Sequence, residues 1–191
     1  VHTTVDRAIK ETWLYNIKSD YSSNFILLED SLKNAFYFHL RNRLSDAFLK
    51  DHNLRIYTEL HTGYGERIDI AVVEIEDRED VHLREKIKDY VAVIELKYKS
   101  GHVPIDPFFG DIQKIKSYLK RNDYVNCQYY LGFIHETEYR LEETSWLNTR
   151  EQKTWASGSL TELSGFYNED KIIFTNISYN HLNADLNNIR I

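Results

Sequence analysis

Two β-branched runs separated by a charged segment constrain this chain more than any other feature. Residues 67–75 (RIDIAVVEI) and 90–98 (YVAVIELKY) are rich in Val and Ile, residue types that suit the pleated, half-buried surface of a strand. Each run interrupts its apolar stretch with a carboxylate, Asp69 in the first and Glu95 in the second. Upstream, Leu28, Leu32, Ala35, Phe36, Leu40, Leu44, Ala47 and Phe48 recur at threes and fours, which predicts one long amphipathic helix from Phe25 to Lys50. A chain that passes from helical spacing into strand-like runs in this way belongs to the α/β class.

The remaining segments fill in around these. Val5, Ala8, Ile9, Trp13 and Ile17 predict a first helix over residues 4–18, ended by a polar break at Asp20–Asn24. Leu54–Leu60 reads as a strand joined to the first run through HTGYGE, whose Gly63 and Gly65 suit a hairpin turn better than a phosphate loop. Residues 76–89 are either a solvated loop or a short surface helix. After a loop carrying Pro104 and Pro107, Asp111 is expected to cap a helix with the core stripe Ile112, Ile115 and Leu119, and a strand follows over Gln128–Ile134. Further on come a polar helix over Glu142–Trp155, a break over Ala156–Gly165 and a last strand over Lys171–Tyr179. The expected organisation is one domain over 1–191, with a core over 25–135. The C-terminal addition over 136–191 completes the sheet, forms a dimer surface or binds substrate.

Composition excludes several classes. A hydrophobic share of 42% and an aromatic share of 14% let the chain bury enough surface to offset its ordering entropy, which argues against disorder. The single cysteine, Cys127, rules out an intramolecular disulfide, argues against a cysteine zinc site and is expected to be a packed residue. No stretch approaches the roughly 20 consecutive apolar residues of a membrane span, and the opening VHTTVDRAIKETW lacks the pattern of a secretion signal, so a cytoplasmic protein without membrane contact is expected. The net charge of −6 argues against coating a nucleic acid by charge alone. Residues 95–121 run the other way, setting Lys97, Lys99, Lys114, Lys116, Lys120 and Arg121 against Glu95, Asp106 and Asp111. Any phosphate-facing surface is expected there.

The acids within the strands carry the chemistry. Period-two alternation puts Arg67, Asp69, Ala71 and Val73 on one face, with Ile68, Ile70 and Val72 on the other, and gives Glu95 and Lys97 a shared face. An isolated buried charge costs several kcal/mol unless it is paired or neutralised by a metal. Either Lys97 forms a structural salt bridge with Asp69 or Glu95, or the group is a cation site. Competing chemistry is thin: the histidines show no H-E-x-x-H spacing and no serine sits in a nucleophile elbow.

Asp69 in RIDIAVV, followed by Glu95-Leu96-Lys97 at the end of VAVIELKYK, resembles the signature of the PD-(D/E)XK nuclease superfamily, and the likeness extends over residues 25–135. The resemblance implies a restriction-endonuclease-like mixed central sheet flanked by helices, with a helix and strand addition at the C-terminus. It implies Mg²⁺ or Mn²⁺ held by Asp69, Glu95 and the carbonyl of Leu96, and hydrolysis of nucleic-acid phosphodiesters, DNA before RNA, with Lys97 orienting the attacking water. Glu29, beside Asp30, either supplies a further acid or answers the helix dipole. Glu59 either approaches the metal or flanks the turn. Gln113 and Lys114 stand where relatives place a Gln or Lys near the site, and Lys99, Lys114, Lys116, Lys120 and Arg121 would face phosphates or form a solvated helix face. Three features depart from the pattern. Ile68 replaces the proline of the motif, Gln113 and Tyr118 do not fit the RecB-type spacing, and the distance from Asp69 to Glu95 requires residues 76–89 to loop out. Double-strand cleavage would call for a homodimer. The rival expectation is a nuclease-fold protein that binds nucleic acid or a protein partner without cutting.

Overall fold

Seven strands form one mixed sheet whose spatial order follows the chain order. The computed structural model describes every residue except 63–64, 80, 102–105, 122–125, 139–144 and 170. Strands β1 (Leu54–His61), β2 (Arg67–Ile75) and β3 (Ile87–Lys99) form an antiparallel meander, as the two β-branched runs predict. Next come β4 (Gln128–Glu138) and β5 (Leu160–Asn168), each parallel to the strand before it. The antiparallel strands β6 (Lys171–Ser178) and β7 (Ile189–Arg190) complete the sheet. The region after residue 136 therefore contributes β5, β6 and β7 to the sheet.

Helices cover both faces. On one lie α1 (His2–Glu11), a π-helical stretch (Thr12–Ile17) and α2 (Lys18–Ser22), run end to end, followed by α3 (Glu29–Leu44) and α4 (Asp46–Asp51). Their buried residues Ile9, Trp13, Leu32, Phe36 and Leu40 pack with Ile70, Val72, Ile94 and Leu96 of the sheet. On the other face α5 (Asp106–Arg121) lays Phe108, Ile112, Ile115 and Tyr118 over Val93, Leu131 and Phe133. Parallel neighbours cannot be joined by a hairpin; α5 makes the crossover from β3 to β4, and the segment containing α6 (Thr149–Lys153) leads from β4 to β5. Among the described residues no helix is long and apolar enough to cross a membrane, and Cys127 is buried.

Several boundaries differ from the sequence reading for local reasons. The expected helix over 25–50 is two helices, because Ser45 takes φ 62°, ψ 149° and its side chain accepts the N–H of Phe48 to start α4. Helix α5 begins at Asp106, with Pro107 tolerated in the first turn, so Asp111 lies inside the helix and caps nothing. Of the helix expected over Glu142–Trp155, residues 142–144 lie outside the described residues and α6 spans Thr149–Lys153. The expected break at Ala156–Gly165 is in part the central strand β5, whose Glu162 is fully buried. That carboxylate accepts hydrogen bonds from Ser145 Oγ (2.9 Å), the Trp146 N–H (2.6 Å) and Tyr179 OH (2.5 Å). The charged segment expected to loop out over 76–89 does so only in part: Ile75 pairs with Ile87 and Glu74 with Asp89, so residues 87–89 belong to β3, and a short 3₁₀ turn at Leu83–Lys86 lies between the strands.

Candidate active site

The faces of β2 depart from simple alternation at the position that matters. Glu59, across from Asp69 in the β1–β2 hairpin, has left-handed backbone (φ 54°), unusual for a residue other than glycine. The turn itself uses Gly65 at φ +79°. Ile68 and Leu60 pack on the α5 side with Ala71 and Val73, although alternation assigns Ile68 to the face of Ile70 and Val72. Asp69 is left between the two faces, directed along the sheet towards β3. The backbone pairing of β2 with β3 ends at Ile70 and Ile94, and beyond it the Asp69 carboxylate takes over the ladder by accepting the Leu96 N–H at 2.8 Å.

Leu96 is fixed there from the far side. Gly132 lies opposite it on β4, where an added Cβ would come within 2.5 Å of Leu96 Cδ2 and 3.4 Å of the Trp13 ring, so only a glycine lets β4 approach this closely without displacement. A strand residue sends its N–H and its carbonyl out on the same edge, which directs the Leu96 carbonyl to the same gap as Asp69.

Glu95 and Lys97 share the α5 face, as the sequence predicts. Glu95 is only 1% exposed. Its Oε2 accepts from Lys114 Nζ at 2.7 Å, while its Oε1 is buried with no hydrogen-bond partner among the described residues. Burial, and next the charge of Asp69, hold the Glu95 carboxyl well above the usual carboxylate range against the opposing ammonium of Lys114. Lys97 lies 3.1 Å from Glu29 Oε2 and 3.4 Å from Asp111 Oδ2, bridging α3 and α5 across the end of the sheet. Burial opposes its charge, yet Asp111 and Glu29 hold its ammonium above the ordinary lysine value. Burial also pushes the Asp111 carboxyl up, opposed by Lys97.

The structure thus gathers Asp69, Glu95, Leu96, Lys97, Glu29, Glu59 and Lys114 of the residues singled out from sequence. It leaves Gln113 exposed on α5: Asp111 and Lys114, three apart, share the face turned to the sheet, and Gln113 lies off it. The other basic positions diverge. Lys116 pairs with Glu151 (3.3 Å) and lies over the Trp155 ring, Arg121 pairs with Glu66 (2.8 Å), Lys120 is exposed in the last turn of α5, and Lys99 is partly exposed at the end of β3.

Three participants were not singled out from sequence: Lys33, Asp111 in this role, and Arg67, which pairs with Glu59 at 2.5 Å. Lys33 had a signal. Glu29, Leu32, Lys33, Phe36 and Leu40 follow the i, i+3, i+4, i+7 pattern, so the lysine lies on the buried stripe of α3 beside the acid.

The donor set suits a hard divalent ion. Mg²⁺ needs only one or two carboxylates and takes its other ligands from water and substrate oxygens. Asp69, Glu95 with its unpartnered oxygen, and the Leu96 carbonyl supply such a set. Among the described residues no group of three or more His, Cys, Asp or Glu side chains is placed to hold a metal ion, so a cation here would take its remaining ligands from water and substrate. Comparison with family models, curated proteins and solved structures finds no match to this chain.

Proposed function

We propose that this protein is a divalent-metal-dependent nuclease with a restriction-endonuclease-like arrangement of its sheet, hydrolysing nucleic-acid phosphodiesters, DNA in the first place. The observation that carries the reading is the convergence of two carboxylates from neighbouring strands on the point where those strands part, with the orphaned Glu95 Oε1 beside them. A buried acid without a partner costs free energy, and a bound cation removes that cost.

When bound, Mg²⁺ or Mn²⁺ supplies charge neutralisation at the scissile phosphate and a water of lowered pKa. The chain's own groups do the rest. Asp69 and Glu95 would hold the ion, the Asp69 bond to the Leu96 N–H fixes the strand that carries Glu95, and Lys97 would donate to the attacking water and to the phosphate oxygen that gains charge. Glu29 and Asp111 orient the Lys97 ammonium from opposite sides. Cutting both strands of a duplex requires a second copy of the site, which a homodimer supplies.

The closed ion pairs favour a second reading, a nuclease-fold protein that binds nucleic acid or a protein partner without cutting, because each acid at the site already has a lysine within 3.4 Å. Cleavage of plasmid and single-stranded DNA with added Mg²⁺ or Mn²⁺ separates the two. The nuclease reading predicts metal-dependent nicking that falls by about 10²-fold or more in Lys97→Ala. Equal residual cleavage by wild type and Lys97→Ala favours the binding reading.

A further inference from the structure

A cavity of about 430 Å³ opens where α3 and α4 meet the first half of β1. Four consecutive strand residues, Leu54–Tyr57, line it. Successive strand residues point to opposite faces, so the cavity follows the outer edge of β1, the edge strand of the sheet. Its size falls in the range of small-ligand clefts, roughly 300–1,000 Å³, and the buried Leu49, Leu54 and Ile56 give it an apolar lining.

Three bases reach this cavity from three elements, Arg41 from α3, Lys50 from α4 and Arg55 from β1, against one acid, Asp46. Arg41 is already engaged. Its Nε and Nη2 hold Asp46 at 2.8 and 3.1 Å, and its Nη1 donates to Tyr37 OH at 3.2 Å. The hydrogen bonds of this pair keep the Asp46 carboxyl below the usual carboxylate range and the guanidinium above its own, so both partners are charged and cancel. Lys50 and Arg55 are left over. Among the described residues neither has a carboxylate in ion-pair contact, and Arg55 donates only to the Leu54 carbonyl at 2.7 Å. Other bases of this acidic chain have their own acids: Arg43 has Glu11 at 2.7 Å, Lys88 has Glu74 at 2.6 Å and Arg121 has Glu66 at 2.8 Å. Two uncompensated cations facing one concave, partly apolar space concentrate anions there.

We propose that this cavity is a binding site for a phosphate ester, held by Lys50 and Arg55 with Arg41 behind them. A phosphate presents oxygens in several directions, so it accepts from the arginine fork and the lysine ammonium together. The inference stands on the cavity and its bases and does not depend on the metal reading of Asp69 and Glu95. Two sources of the ester fit the geometry. Arg55 lies four residues before Glu59 on β1, about 13 Å along the strand, and Arg41 lies two turns beyond Lys33 on α3, about 12 Å along the helix. That separation is covered by about four nucleotides of one strand of a duplex, so a nucleic acid engaged at the Asp69 end places a backbone phosphate here. A free nucleotide carries the same group.

The test is run without divalent metal, which keeps it separate from cleavage. Calorimetry with thymidine 5′-monophosphate, and with thymidine as the phosphate-free control, is expected to show binding of the first and none of the second. Lys50→Gln/Arg55→Gln is expected to weaken that binding by about tenfold or more, while Lys171→Gln, at an exposed lysine of β6, leaves it unchanged. Asp46→Asn releases the Arg41 guanidinium and is expected to tighten binding by about threefold or more, a gain that damage to the fold does not produce. A short fluorescent DNA duplex tells the sources apart. Lower duplex affinity and a shallower salt dependence in the double variant assign the pocket to a backbone phosphate; unchanged duplex affinity beside lost monophosphate binding assigns it to a free nucleotide. Absence of phosphate-dependent binding in wild type, full binding in Lys50→Gln/Arg55→Gln, or unchanged or weaker binding in Asp46→Asn overturns the proposal and leaves the metal reading untouched.

Discussion

The Asp6–Lys10 pair and the Asp69–Glu95 cluster are built from the same side chains, lysine and carboxylate, and differ in how completely they are satisfied. Asp6 and Lys10, one turn apart on α1, lie 2.7 Å from each other at 0% exposure. Lys10 donates further to Asn187 Oδ1 (2.7 Å), the Leu182 carbonyl (3.1 Å) and Asn180 Oδ1 (3.3 Å). Asp6 accepts from Tyr130 OH (2.8 Å), Asn183 Nδ2 (2.8 Å) and Asn180 Nδ2 (3.0 Å). One positive charge meets one negative, and the network clamps the C-terminal segment onto the first helix. The other cluster leaves one buried carboxylate oxygen, Glu95 Oε1, without a hydrogen-bond partner among the described residues. A balanced, saturated pair buried in a protein serves the fold, whereas an unsatisfied buried carboxylate is relieved by a proton or by a bound cation.

The largest expected effect breaks the clamp. Lys10→Met leaves Asp6 buried without its counter-charge and is expected to cost about 3 kcal/mol of stability, read in denaturant titration as a lower midpoint that Mn²⁺ does not restore. A variant whose stability Mn²⁺ recovers would erase the distinction between the clusters. Next comes Glu95→Gln. It is expected to abolish metal-dependent cleavage by about 10²-fold or more while the fold persists, because Gln carries no buried charge.

The pH dependence of that variant sharpens the contrast. Burial and the neighbouring Asp69 charge raise the folded-state value of Glu95 above its unfolded value. Between the two values the folded chain holds more protons than the unfolded one, so wild-type stability falls as pH rises through that window. Glu95→Gln loses this slope, and thermal melts without metal are expected to show the variant gaining on wild type as pH climbs from the ordinary glutamate range. A smaller effect is expected from Tyr130→Phe, which removes one of the donors to Asp6 and costs about 1 kcal/mol. Smallest is Arg7→Ala at the solvent-exposed pair with Asp185, where no measurable change in melting temperature is expected.

The sequence made the meander legible because β-branched residues with carboxylates inside them leave few alternatives, and Asp69, Glu95 and Lys97 could be singled out on that ground. Strand β5 was not legible: Thr161, Glu162, Ser164 and Gly165 read as polar loop chemistry, and the groups that satisfy Glu162 come from Ser145, Trp146 and Tyr179, outside the strand itself. Asp69 turns to β3 across from left-handed backbone at Glu59, a conformation no side chain there announces. The burial of Lys33 was hidden for a related reason, since a single lysine on a helix looks solvated until the acids of β1 and β2 are folded against it.

The most direct test of the central claim, that Asp69 and Glu95 act together on one cation, is a double-mutant cycle on the Mn²⁺-induced rise in melting temperature. The account predicts that Asp69→Asn and Glu95→Gln each remove most of the rise and that the double variant removes no more than either alone. A rise that persists in Glu95→Gln, or losses that simply add, would contradict it.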